Sequence, residues 1–80
     1  MKTPRDVHAS ELIKLLAKHG YIVANQIGSH IKLSKVANDG IKHNIVVPNH
    51  KPIKVGTLQS IAKEVCLFNK ININDFYSQL

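Results

Sequence analysis

Tryptophan is absent, cysteine occurs once, and two Tyr and two Phe supply all the aromatic rings in a chain of 80 residues. The lone Cys66 excludes an internal disulfide. So few rings cannot build a surface that stacks several splayed bases, and any nucleic-acid reader made from this chain has modest sequence preference. Long apolar runs are missing as well. No stretch approaches the roughly 18 residues that a membrane span needs, and the N-terminus carries no secretory pattern. A soluble, cytoplasmic protein with no membrane partner is expected. The histidines, His8, His19, His30, His43 and His50, include no His-x-x-x-His pair at zinc-ligand spacing. No metal and no cofactor are therefore expected.

Acidic residues are also scarce, five against eleven Lys and Arg, which gives a net charge of +6. The excess sits in the middle of the chain. Residues 30–54 carry Lys32, Lys35, Lys42, Lys51 and Lys54 against Asp39 alone, a net of +4, whereas residues 55–80 are neutral. A cationic stretch attracts polyphosphate by Coulomb forces and counterion release, so nucleic acid is the first partner class to consider. The plainer alternative is a solvated face that keeps a small protein soluble.

What is present is 44% apolar residues, enough for one core in a single domain spanning residues 1–80. Leu12, Ile13, Leu15 and Leu16 recur at helical spacing between Ala9 and His19, and Gly20 stops the helix. Thr3-Pro4 and His8-Ala9-Ser10-Glu11 both offer starts, of which the later is favoured. Tyr21 to Ile27 is β-prone. After Gly28-Ser29, the run from His30 to Lys35 alternates, with Ile31 and Leu33 inward and His30 and Lys32 on the solvent face. Asn38-Asp39-Gly40 signals a turn into a third strand, Ile41 to Val47, in which Ile45 and Val47 share one face and Pro48 ends the pairing. Leu58, Ile61, Ala62 and Val65 mark a second helix with Thr57 as its N-cap. Asn72 and Asp75 resemble an N-cap and its N3 partner ahead of a short terminal helix bearing Ile73, Phe76, Tyr77 and Leu80. The fold class is α+β, with α-β-β-β-α order, a three-stranded antiparallel meander, helices on one sheet face and a short C-terminal helix.

The opposite sheet face and the loops are left to bind. Gly28-Ser29-His30 puts an imidazole at the mouth of a hairpin on a cationic chain, and imidazole exchanges protons near neutral pH. Gly28 suits a turn with positive φ. Ser29 either bonds the local backbone or meets a phosphate. Lys32 is a candidate phosphate clamp on the face of His30. Lys51 and Lys54 precede the second helix, whose first amides and dipole also favour an anion, with Thr57 beside them. His50 is a candidate for phosphate contact or for a second proton transfer. His43 lies on the third strand without a supporting motif, and His19 suits a dipole contact at the end of the first helix. Cys66 reads as a small packed residue.

The segments Glu11-Leu12-Ile13-Lys14-Leu15-Leu16, Gly20-Tyr21, Gln26-Ile27-Gly28-Ser29-His30, Val46-Val47-Pro48, His50-Lys51-Pro52 and Val55-Gly56-Thr57-Leu58 together resemble the HicA family of bacterial mRNA interferase toxins. The resemblance runs from about Pro4 to Leu80. It implies a double-stranded-RNA-binding-domain-like fold, cleavage of mRNA, and silencing by a HicB-type antitoxin. It also implies that His30 corresponds to the family's catalytic histidine. A non-catalytic RNA-binding module on the same basic surface is the alternative, and a protein-interaction subunit is a third class.

Overall fold

The first helix begins where the sequence offers a reciprocal start: the Glu11 carboxylate accepts a hydrogen bond from the His8 backbone N–H at 3.1 Å. In the computed structural model, which describes residues 3–80, α1 (Ala9–Lys18) is followed by β1 (Ile22–Ile27), β2 (His30–Val36), β3 (Lys42–Pro48), α2 (Val55–Asn69) and α3 (Ile73–Ser78). The order is the expected α-β-β-β-α with a short terminal helix. Gly20 ends α1 at φ +94°, where a side chain would be strained and its Cβ would meet Lys35 Cε at 3.2 Å.

The three strands form an antiparallel sheet in the order β1-β2-β3. Asn38-Asp39-Gly40 makes the expected turn: Asp39 Oδ1 accepts from Ile41 N–H at 3.0 Å, and Gly40 sits at φ +86°. Strand β3 keeps Pro48 as its last residue, paired with His30. In β1 the register slips between Val23 and Asn25, a bulge that the sequence does not announce.

Ile31, Leu33, Ile45 and Val47 are buried beneath the helices. They meet Leu12 and Leu16 of α1, Leu58, Ile61, Ala62 and Val65 of α2, and Phe76 of α3 in one cluster. Each such leucine contributes about 1.5–3 kcal/mol by leaving water. Cys66 packs in the same cluster, and burial pushes its thiol above the ordinary range, so it stays protonated and inert. Helix α3 is capped as expected, with Asn72 Oδ1 accepting from the Asn74 and Asp75 amides.

Two expectations need correction. Thr57 is not the N-cap of α2: the helix starts earlier, with Lys54 extended at the cap and Thr57 inside the first turn. Gly56 bears no side chain there and has nothing within 4 Å of a built Cβ, so it enters the helix without obstruction. His19 gains no cationic dipole contact. It lies half-buried beside Phe76, at 6.0 Å between ring centroids, with Nε2 buried and unpartnered among the described residues. Burial first, then the charges of Lys35 and Lys18, push its pKa down, which favours the neutral ring. His43 does not face the site of His30. It stacks on Phe68 at 4.5 Å, on the helix side of the sheet.

Lys35 also leaves the proposed cationic surface. Its Nζ donates to Asn69 Oδ1 and lies 5.7 Å from the Tyr21 ring centroid. Asn69 Nδ2 in turn donates to Tyr21 Oη at 3.0 Å, and Tyr21 Oη is hydrogen-bonded to His43 Nδ1 at 2.6 Å. This clasp ties the residue before β1, the β2–β3 hairpin end of the sheet and the end of α2 together. Burial holds the Tyr21 phenol above its ordinary pKa, so it remains a hydroxyl at every physiological pH.

Candidate functional site

Gly28 turns the chain between β1 and β2 at φ +59°, the sign required at the first position of a two-residue type II′ hairpin. Ile27 and His30 pair across that turn, and His30 also pairs with Pro48 on the other side. His30 is thereby the first residue of the central strand, held between both neighbours. Its side chain is exposed on the sheet face that no helix covers, and Lys32 follows it on the same face.

Around them the open face has a defined shape. Asn25 and Ile27 of β1 and Val46 of β3 surround His30 and Lys32 to form a shallow cavity of about 130 Å³. The two-residue turn sets Ile27 opposite His30 and Asn25 opposite Lys32, so Asn25 and Ile27 share the face of His30, and the bulge between Val23 and Asn25 lies beyond them and changes only the facing of Ile22 and Val23. Of these lining residues, Val46 was legible in the strand alternation, since Ile45 and Val47 point inward. The parity of Asn25 and Ile27 follows in the same way from the two-residue turn, which sets them opposite Lys32 and His30.

A second segment is fastened to the hairpin tip. The Asn49 N–H donates to the Ser29 carbonyl at 2.6 Å, and the His50 N–H donates back to Pro48 O at 2.9 Å. These bonds set the start of the loop bearing His50, Lys51 and Lys54 beside the Gly28-Ser29 turn. Ile53 is buried in the core, and its N–H donates to Val7 O at 2.8 Å, which anchors the far end of that loop. His50, Lys51 and Lys54 are exposed. The first turn of α2 has no acidic residue and no side-chain cap, so its leading amides and dipole add positive potential next to these lysines.

Thr57 stands apart from His30. It lines a separate groove of about 390 Å³ between β3 and α2, with Asn44, Ser60 and Glu64 among its neighbours. The Glu64 carboxylate makes the far end of that groove a poor phosphate path. The hairpin residues Gly28, Ser29, His30 and Lys32 thus form one cluster, to which His50 and Lys51 are joined through Asn49, while Thr57 lies on the helix side of Val46.

No group of three His, Cys, Asp or Glu side chains able to hold a metal ion occurs among the described residues. None of the described helices is long and apolar enough to cross a membrane.

The family model described as HicA toxin of bacterial toxin-antitoxin matches residues 9–67, from α1 almost to the end of α2. The chain belongs to the HicA toxin family. As a HicA-family chain it is the toxin of a toxin–antitoxin system, and membership implies an antitoxin partner. The HicA match includes the whole hairpin with His30 and the loop before α2 but stops short of α3, which caps the core with Phe76 and Tyr77. No curated protein and no solved structure matches this HicA-family chain significantly.

Proposed function

We propose that this HicA-family chain is a metal-independent endoribonuclease that cleaves mRNA, with His30 as general base or acid. In the step itself, the ribose 2′-oxygen loses its proton and bonds to the adjacent phosphorus. The P–O5′ bond breaks, and the departing 5′-oxygen takes up a proton, leaving a 2′,3′-cyclic phosphate and a 5′-hydroxyl. An imidazole serves either transfer, and Lys32 offsets the extra negative charge on the phosphorane. The observation that carries this reading is an exposed His30 at the hairpin junction, beside Lys32 and an open cavity, in a chain of the HicA family.

Gly28 and Ser29 bring backbone close to the phosphate. His50, Lys51 and Lys54 contact the RNA backbone from the adjoining loop, and the Thr57 hydroxyl extends that track at the first turn of α2. His50, whose loop is tied to Ser29 through Asn49, is also the residue to examine for the second proton transfer. The partner is a HicB-type antitoxin that presents acidic groups to the Lys32, Lys51 and Lys54 surface, blocking RNA through complementary charge. The protein acts as a single domain in the cytoplasm.

The test is cleavage of purified RNA in excess chelator by wild type and His30→Ala, with RNA affinity measured in parallel. Wild type cuts, and His30→Ala loses cutting while binding RNA within about threefold of wild type, well under the tenfold that 1.4 kcal/mol represents. An RNA that wild type binds but never cuts would make the chain the non-catalytic module instead.

A further inference from the structure

The cavity beside His30 has a composition that a phosphate track alone does not explain. Ile27 and Val46 are 73% and 50% exposed, on the one sheet face without a helix over it. Apolar surface left in water forgoes about 25 cal/mol per Å² that a ligand could recover. Next to these two methyl-bearing side chains stands Lys32, with no carboxylate among the lining residues. A ligand that is flat and apolar at one end and anionic at the other matches this pairing. A nucleotide has that form.

Asn25 adds a directional element. Its Oδ1 accepts from the Gln26 backbone N–H at 2.8 Å, which fixes the amide's orientation and leaves the Nδ2 hydrogens unpaired among the described residues. The cavity is therefore lined by an amide donor with a free valence, two aliphatic walls, a cation and the His30 ring. The aromatic side chains lie elsewhere: Tyr21, Phe76 and Tyr77 are in the core, and Phe68 is against His43. No Phe or Tyr ring lines this cavity.

We propose that this slot seats one nucleobase of the RNA next to the scissile phosphate, with Ile27 and Val46 against its face and the Asn25 amide donating to an acceptor on its edge, a pyrimidine O2 or a purine ring nitrogen. Asn25 is then the specificity-determining residue, and Ile27 and Val46 position the nucleotide so that its ribose faces His30. This rests on the RNA-cleaving reading above. It also explains how a chain poor in aromatic residues holds a single base without reading a longer sequence.

Methyl- and amide-resolved NMR of the full chain tests it, with the four nucleoside 3′-monophosphates titrated against ribose 5-phosphate. The nucleotides shift the Ile27 and Val46 methyls and the Asn25 side-chain amide, and bind roughly tenfold more tightly than the sugar phosphate. Ribose 5-phosphate moves only signals at His30 and Lys32. Val46→Trp, which fills the slot at an exposed position, brings nucleotide affinity down to that of ribose 5-phosphate. Equal affinities for nucleotide and sugar phosphate, or still methyls, would overturn the slot. A Val46→Trp protein that keeps nucleotide affinity but no longer binds its antitoxin would assign the cavity to a protein side chain and overturn it too. Base binding in a chain that never cuts RNA leaves the slot standing and defeats the nuclease; cutting without base-dependent shifts does the reverse.

Discussion

The two faces of β2 are built from alternate residues of one seven-residue strand, and they behave as two different materials. Ile31 and Leu33 face the helices and are buried, while His30 and Lys32 face outward and are exposed. The inner face supplies free energy, and its partners across the sheet, Val47 and Ile45, are of the same kind. The outer face leaves Ile27 and Val46 uncovered around a cavity, at a cost in stability that the inner face offsets. Function is thus separated from folding by a single step along the strand, which makes the separation open to test.

The largest effects come from exchanging the roles of neighbours on β2. Leu33→Ala removes a fully buried side chain and destabilises the fold by about 2–5 kcal/mol in chemical denaturation. His30→Ala changes stability by less than about 0.5 kcal/mol and lowers RNA cleavage by roughly 10² to 10⁴-fold. If His30→Ala unfolds the protein, the two faces are not independent.

Next in size is the clasp on the inner face. Tyr21→Phe removes the hydroxyl that joins His43 and Asn69 and costs about 1–2 kcal/mol of stability. Cleavage per folded molecule stays unchanged, because His43 is on the far side of the sheet from His30. A fall in turnover with the fold intact would connect the faces.

The alternation of β2, both helical stripes, the turn at Asn38-Asp39-Gly40 and the Asn72 cap were all legible because each depends on contacts within a few residues. The bulge in β1 was not, since it arises from how β1 fits β2 rather than from any composition in Ile22–Ile27. It changes the facing of Ile22 and Val23 only, while the two-residue turn sets Asn25 and Ile27 on the face of His30. Sequence also gave the five lysines of residues 30–54 as one cationic stretch, yet the fold sends Lys35 to Asn69 and Tyr21 on the inner face. His19 follows the same logic: the end of α1 suits a cation, whereas α3, distant in sequence, packs Phe76 beside its ring. Thr57 is the best capping residue type near the start of α2, but the helix begins at Val55 with Lys54 at the cap.

A smaller effect is the pH dependence that half-buried His19 gives the inner face. The fold lowers the His19 pKa, so the unfolded chain binds this proton more readily than the folded one. Stability from the neutral ring is complete above the unfolded value of about 6.5 and is lost as pH falls toward the folded one. The midpoint of thermal unfolding therefore drops from pH 7.5 to pH 5, and His19→Leu flattens that part of the profile. A variant with the wild-type pH dependence would remove His19 from the account.

The smallest effect lies on the outer face. Lys32→Gln weakens RNA binding a few-fold at low salt and reduces the slope of log affinity against log salt by about 0.7, the value for one contact to a single-stranded phosphate. Lys35→Gln leaves the slope unchanged, because its ammonium is engaged with Asn69. Equal slopes for the two variants would mean that the faces share the charge.

The most direct test of the central claim, that His30 moves protons for attack by the ribose 2′-oxygen, is cleavage in chelator of an RNA with one 2′-deoxy nucleotide at a mapped cut site. The account predicts that the substituted linkage stays intact while neighbouring sites are still cut by wild type and none are cut by His30→Ala. Cutting at the 2′-deoxy linkage, or undiminished cutting by His30→Ala, would contradict it.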